Sequence, residues 1–199
     1  MNHSRLVQQA NLITPRIYLS DLHTASNKDE LTNLEITHVI SVLECQPTFP
    51  TSITPEQTLH IPIADYLHVN ILRHLETTTN FISSALAQND SNKVLVHCHQ
   101  GISRSATVVC AYLVATTAMS ASESIAHVKD LRSVVYPNSG FRRQLDEYGT
   151  RFVGRRSTSQ SPVQRISEGI AERIHALKSA NGLEDPEPAS NTGPEQDSE

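Results

Sequence analysis

The chain has 199 residues and a mass of 22.0 kDa, enough for one domain of ordinary size with a real hydrophobic core and a tail. A formal net charge of -5 and a pI near 6.0 exclude the concentrated basic face that nucleic-acid binding needs, so no nucleic-acid partner is expected. No run of about 18 apolar residues occurs, and the opening residues MNHSRLVQQANLITP lack an apolar stretch, so neither a membrane span nor a signal peptide is expected.

In chain order, segments rich in β-branched residues alternate with helical patterns from about residue 15 to 150. This predicts an α/β domain, a mostly parallel twisted sheet flanked by helices. The predicted strands are Arg16 to Leu19, His38 to Val42, Leu59 to Ile63 and Lys93 to His97. Asn27 to Asn33 reads as a short helix. Ile71 to Ala87 reads as a longer one, striped by Ile71, Leu75, Phe81, Ile82 and Leu86. After the apolar run Val94, Leu95, Val96, the spacing of Ala106, Val109, Cys110, Leu113 and Val114 predicts a helix starting near Ser105. Two more helices are expected at Ser122 to Leu131, with Ser120 and Glu123 as a capping box, and at Phe141 to Phe152. This helical C-terminal half is expected on one side of the sheet.

From about Arg155 the composition turns to Ser, Pro, Gln and acid, and the residues after Leu183 hold six acidic side chains and no basic one. Residues 155–199 are read as a polar tail with an acidic disordered end. Within it, Val163, Ile166, Ile170, Ile174 and Leu177 line one face of a helix expected over 162–179. That helix either folds back onto the domain or docks to a partner.

Three cysteines, Cys45, Cys98 and Cys110, are too few and too widely spaced for a disulfide framework or a zinc ribbon, which suits a cytoplasmic or nuclear compartment. The stretch KVLVHCHQGISRSATVVCAYL, residues 93–113, sets a buried strand, a loop from Cys98 to Arg104 and then a helix. Loop amides and a helix N-terminus converge there, which predicts an anion site. A thiol has a reference pKa of about 8.5, and a helix N-terminus with a neighbouring arginine lowers it by several units, so a cysteine in this position is an expected anion and nucleophile. Arg104 offers a planar fork for two oxygens of a phosphoryl group, a geometry that lysine lacks. Gly101 stands where positive φ or close approach of the backbone to the ligand is expected. Ser105 offers a hydroxyl to a departing thiolate. Cys110, on the apolar stripe, is expected to be inert core.

The segment HCHQGISRS matches the signature His, Cys, five residues, Arg, Ser/Thr of the protein tyrosine phosphatase superfamily, and its Gly and Ser-Arg-Ser positions match the dual-specificity branch. ITPRIYLSDLHTAS, LEITHVISVLEC, IPIADYLHVNI and YPNSGFRRQLDEY resemble successive landmarks of the same domain. The resemblance covers roughly residues 12–152. It assigns 12–154 to a catalytic domain and 1–11 to an N-terminal extension, the small atypical type without an N-terminal docking module. Gln100, where the family commonly has a small residue, and Ser20, where a Gly often follows Tyr-Leu, depart from the pattern.

The resemblance implies a fold with a phosphatase-type loop between a buried strand and a helix. It also implies a phosphocysteine mechanism without cofactor or metal. Cys98, Arg104, Asp65 and Ser105 would be catalytic, with Asp65 in the family's acid position, worth about 10² to 10⁴ in rate. His99, Gln100, Gly101, Ile102, Ser103 and Arg104 would bind the substrate phosphate. His97 would order the loop and tune the thiol, and Asn138 would hold the loop in shape. The expected partners are phosphorylated proteins bearing phosphotyrosine and phosphoserine or phosphothreonine, with protein kinases among them.

Other readings fit less well. A metal site on His97, Cys98 and His99 would split its ligands across two faces of a strand and set Arg104 beside a cation. The Lys of a nucleotide P-loop and the Gly-x-Ser-x-Gly of a serine hydrolase are absent from the segment. A phosphoinositide phosphatase would want lysines where His99, Gln100 and Ile102 stand. A non-catalytic phosphopeptide binder or scaffold is the main alternative. Cys45, just past the strand His38 to Val42, would share a sheet edge with Cys98 if the two strands are parallel, and a reversible disulfide between them is then conceivable.

Overall fold

The computed structural model describes residues 9–49 and 53–152. The chain divides into a unit of residues 1–159 and a second of 160–199, and the helix expected over 162–179 lies outside the described residues.

Apolar β-branched runs form the sheet. Its strands are β1 (Asn11–Thr14), β2 (Ile17–Ser20), β3 (His38–Val42), β4 (Thr58–Ile61) and β5 (Val94–His97), arranged in the order β1-β2-β5-β3-β4. The four from β2 to β4 run parallel. Only β1 is antiparallel, pairing Asn11 with Leu19 and Leu12 with Tyr18. Central β5 has both faces covered and so reads as continuous apolar sequence, with Val94, Leu95 and Val96 fully buried. The hairpin strand β1 was not anticipated, because NLIT is too short for a periodic signal.

Six α-helices and one 3-10 turn (Pro55–Gln57) complete the described residues: α1 (Leu22–Ala25), α2 (Lys28–Asn33), α3 (Leu72–Gln88), α4 (Arg104–Thr116), α5 (Ala121–Leu131) and α6 (Ser139–Thr150). Their ends follow capping chemistry. Asp21 accepts from the Thr24 N–H to start α1, and Asn138 accepts from the Phe141 N–H to start α6. The expected capping box forms at α5, where Ser120 Oγ accepts from the Glu123 N–H and Glu123 accepts from the Ser120 N–H. Arg16 closes the far end of α3, donating from Nη1 to the carbonyls of Leu86 at 3.0 Å and Asn89 at 3.1 Å.

The period-two alternation of the strands sorts the core into two layers. Ile17, Leu19, Ile40, Val42, Val94 and Val96 cluster with Leu75, Ile82, Val109, Val128, Phe141 and Leu145 of α3 to α6. Val39 and Leu95 face the other way, toward Ala25, Leu31 and Ile36. The C-terminal helices thus share one side of the sheet, as expected. Burying each such aliphatic side chain contributes about 1.5–3 kcal/mol. Parallel β2, β5, β3 and β4 all end on one sheet edge, which brings the loops after them together.

Candidate active site

Strand β5 ends at His97, and the chain turns through Cys98 to Ser103 before α4 begins at Arg104. Cys98 is 2% exposed. Four successive loop carbonyls are held from outside. His99 O accepts from the Leu22 N–H at 3.3 Å, Gln100 O from Arg132 Nη2 at 3.1 Å, Gly101 O from Arg132 Nε at 3.0 Å, and Ile102 O from the Tyr136 N–H at 2.9 Å. In a trans peptide the N–H points opposite to the C=O, and no described bond is cis. The N–H groups of Gln100, Gly101, Ile102 and Ser103 therefore turn inward, an anion-binding concavity. The Gly101 N–H is seen donating to Cys98 Sγ at 3.3 Å, and Ser105 Oγ donates to the same sulfur at 3.1 Å. Two donors thus converge on one sulfur.

Gly101 has φ +67, and a Cβ there would lie 2.5 Å from Ser20 O and 2.8 Å from Arg132 Nη2. The expected positive φ is present, and the close contacts that exclude a side chain are to Ser20 and Arg132.

Arg104 is 7% exposed. Its Nη1 donates to Ile63 O at 3.1 Å. Its buried Nε makes no hydrogen bond and lies 3.6 Å from Asp65 Oδ2. The ion pair leaves that N–H without a hydrogen-bond acceptor, which an incoming oxyanion would supply. Glu44 stands at the rim, 3.9 Å from Nη1 with its side chain 66% exposed, too solvated to contribute much.

Asp65 lies in the loop after β4. Its Oδ1 accepts from Ser103 Oγ at 2.8 Å and from Asn138 Nδ2 at 2.7 Å. The Asn138 side chain thus meets Asp65 and the Phe141 N–H, while its own N–H reaches the phosphate loop by donating to Ser103 Oγ at 3.1 Å. The acid loop rests on α6, where a Cβ at Gly140 would fall 1.9 Å from Leu67 O.

His97 is fully buried, with Nε2 2.7 Å from Ser41 Oγ on β3. Burial pushes its pKa down to about 4, against smaller opposing pulls from the Cys98 backbone and Asp21, so the ring is neutral at pH 7. Nδ1 makes no hydrogen bond of good geometry. Burial likewise pushes the Cys110 thiol up to about 12, in keeping with an inert core residue. All three cysteines are free. Parallel pairing of β3 with β5 does set Cys45 beyond the same sheet edge as Cys98, but Cys45 is exposed and Cys98 buried.

The loop residues named from sequence, with Arg104, Ser105, Asp65, His97 and Asn138, are thus assembled in one place. Sequence reasoning missed Arg132 and Ser41. Both left a signal. Arg132 falls four residues after Val128, on the buried face of α5's pattern, and Ser41 interrupts the fully buried strand HVISV opposite His97. Among the described residues, no group of three or more His, Cys, Asp or Glu could hold a metal ion, and no helix is long and apolar enough to cross a membrane.

An anion cradle of inward amides around a cysteine, with arginine at the helix start, defines a cysteine-based phosphatase domain. The family model for the dual specificity phosphatase catalytic domain matches residues 17–151, and the chain belongs to that family of protein phosphatases, phosphoric monoester hydrolases. It is 36% identical over 137 residues to human dual specificity protein phosphatase 15, covering 69% of this chain and 45% of the relative. It is 37% identical over 136 residues to the fission yeast (Schizosaccharomyces pombe) tyrosine-protein phosphatase yvh1, covering 68% and 40%. The chain thus spans less than half the length of these relatives. Among solved structures, DUSP15 superposes with a TM-score of 0.67 at 34% identity over 71% of this chain and 88% of that one. Human tyrosine phosphatase-like serine/threonine/tyrosine-interacting protein gives 0.67 at 32% over 73% and 99%.

Proposed function

We propose that the chain hydrolyses phosphomonoesters on protein side chains, phosphotyrosine and also phosphoserine and phosphothreonine, through a phosphocysteine intermediate. The observation that carries this reading is the pair of donors on Cys98 Sγ beside buried Arg104, whose Nε is ion-paired with Asp65 but makes no hydrogen bond. In the first step the Cys98 thiolate attacks phosphorus, an S–P bond forms and the P–O ester bond breaks. Asp65 gives its proton to the leaving oxygen. Because Oδ1 is already engaged by Ser103 and Asn138, Oδ2 is the oxygen that carries that proton. The inward amides from Gln100 to Ser103 and the Arg104 fork hold the equatorial oxygens as charge shifts between them. In the second step the Asp65 carboxylate takes a proton from water, whose oxygen attacks phosphorus. The S–P bond breaks, inorganic phosphate leaves, and Ser105 Oγ–H stabilises the sulfur as it regains its charge. Neutral His97, tied to Ser41, orders the strand end without supplying a proton.

Exposed Tyr66 and Leu67 adjoin Asp65, and exposed Tyr136 adjoins the loop through its N–H to Ile102. Tyr66 and Leu67 offer apolar surface beside the acid to a protein substrate, which supports phosphorylated proteins as substrates. Without lysine at 99, 100 or 102, a phosphoinositide headgroup would find no extra cations in the loop. Phosphorylated proteins, protein kinases among them, are the substrates of this reading, and the three free thiols support a cytoplasmic or nuclear location within it.

The decisive experiment is turnover of a generic aryl phosphate, with Cys98→Ser as control. Turnover abolished by the substitution upholds the reading. A wild-type chain that binds phosphopeptide without hydrolysing it would support the second reading, a non-catalytic binder, which the phosphatase-like interacting protein among the similar structures keeps in view.

A further inference from the structure

Arg132 follows α5 and is only 2% exposed, yet neither the sequence pattern nor the reaction just described uses it. Its contacts run in two directions. Toward the site, Nη2 and Nε donate to the carbonyls of Gln100 and Gly101 at 3.1 and 3.0 Å. Away from it, Nη1 donates to Asn11 Oδ1 on β1 at 2.6 Å and to Gln9 O at 2.9 Å. The Gln100–Gly101 peptide is therefore pinned at both ends, its oxygen by Arg132 and its N–H by Cys98 Sγ at 3.3 Å. If that oxygen lost its cation, the peptide plane could rotate, and the N–H would leave the sulfur.

We propose that Arg132 is a positioning residue for the phosphate loop: it orients two successive peptides so that their N–H groups face Cys98, and β1, through Asn11, holds Arg132 in that pose. The assignment extends the proposed phosphatase chemistry and rests on the same loop. Two independent observations support it. A Cβ at Gly101 would strike Arg132 Nη2 at 2.8 Å, so the glycine is what lets the guanidinium approach the loop backbone. Charge also couples the residue to the nucleophile. Burial pushes the Arg132 pKa down while the charges of Asp21 and Cys98 pull it back up, and by reciprocity a cation at 132 favours the sulfur anion. The other ionisable groups around that sulfur are Arg104 on α4, Asp65 after β4, His97 on β5, His99 in the loop, Asp21 before α1 and Glu44 after β3.

The test uses the full chain, with Arg132→Met removing charge and fork, Arg132→Lys removing the fork alone, and Asn11→Ala removing the outer anchor. Ile82→Ala, a buried change in α3 outside this network, controls for lost stability. Three quantities are read: the pH midpoint of Cys98 alkylation by iodoacetamide, the affinity for tungstate, and kcat and KM on an aryl phosphate. Arg132→Met is expected to raise the alkylation midpoint by about one pH unit and to weaken tungstate about tenfold, the loss of one charge-assisted contact. Arg132→Lys should keep the midpoint but still weaken tungstate. Asn11→Ala should move both in the same direction by less, and Ile82→Ala should move neither at equal loss of Tm.

If wild type binds tungstate and turns over substrate while Arg132→Met and Asn11→Ala change only Tm, the positioning role is wrong and the phosphatase reading stands. A wild-type chain that binds no tungstate overturns both.

Discussion

Asn138 and Asp65 are joined by a hydrogen bond of 2.7 Å from Nδ2 to Oδ1, so the residue that caps α6 also sets the orientation of the proposed acid. Ser103 reaches the same oxygen from the phosphate loop. The carboxyl is thus indexed to both elements that hold the substrate, with Oδ2, 3.6 Å from Arg104 Nε, as the oxygen that does chemistry.

That arrangement makes the pH profile diagnostic. kcat/KM should rise as Cys98 and the substrate dianion ionise, the latter near pH 6, and fall as Asp65 loses its proton, giving an acidic bell. Asp65→Asn should lower kcat by about 10² to 10⁴ and flatten the alkaline limb. A variant that keeps a sharp alkaline limb would show that another group is the acid.

Ser105 acts on sulfur from inside the fold, at 3.1 Å and with no exposure. Its hydroxyl matters most when sulfur leaves phosphorus. Ser105→Ala is expected to slow the second step about tenfold, the worth of one hydrogen bond to a charged atom. Stopped-flow measurement should then show a burst of released phenol, and a linear trace with unchanged kcat would count against the role.

Gly101→Ala combines two penalties, left-handed backbone at φ +67 and a Cβ 2.5 Å from Ser20 O. The conformational part alone costs about 1–2 kcal/mol. A drop in Tm with weakened tungstate binding is expected, and retention of both would mean the loop can rearrange around a methyl group.

His97 gives the fold itself a pH dependence. Its folded pKa of about 4 lies below the ordinary value of 6.5, so the unfolded chain binds the proton more readily. The stability from keeping this ring neutral is present above about pH 6.5 and is lost as pH falls toward 4. The full difference is on the order of 3 kcal/mol. Urea unfolding at pH 7 and pH 4.5 should show a shallower loss in His97→Asn than in wild type. Equal slopes would mean that the ring is hydrated.

The phosphate loop, the parallel sheet and the helical side were legible in the sequence because each has local chemistry of its own: an apolar run, a Cys-to-Arg spacing, a 3.6-residue stripe. Asp65 was legible only through family resemblance, since one aspartate in a loop has no periodic signature. The place of Arg132 one turn after Val128 was a local trace that went unread, and β1 left none. Arg132 is buried by neighbours at Gln9 and Asn11, more than a hundred residues away, and four-residue NLIT makes sense as a strand only once β2 lies beside it. Long-range partners cannot be counted from local pattern. The side chain of Asn138 likewise went to Asp65, a choice that depended on where the loop after β4 came to lie.

The missing side chain of Gly140 separates two capacities of this molecule. The phosphate loop is braced by Leu22, Arg132 and Tyr136, whereas the stretch carrying Asp65 leans on α6 where a methyl group would overlap Leu67 O. Gly140→Ala should therefore lift the proton donor while leaving the grip on oxyanions intact, seen as lost kcat with unchanged tungstate affinity. A single carbon atom would turn a hydrolase into a receptor for phosphorylated side chains, and it would do so without altering any group that meets phosphorus.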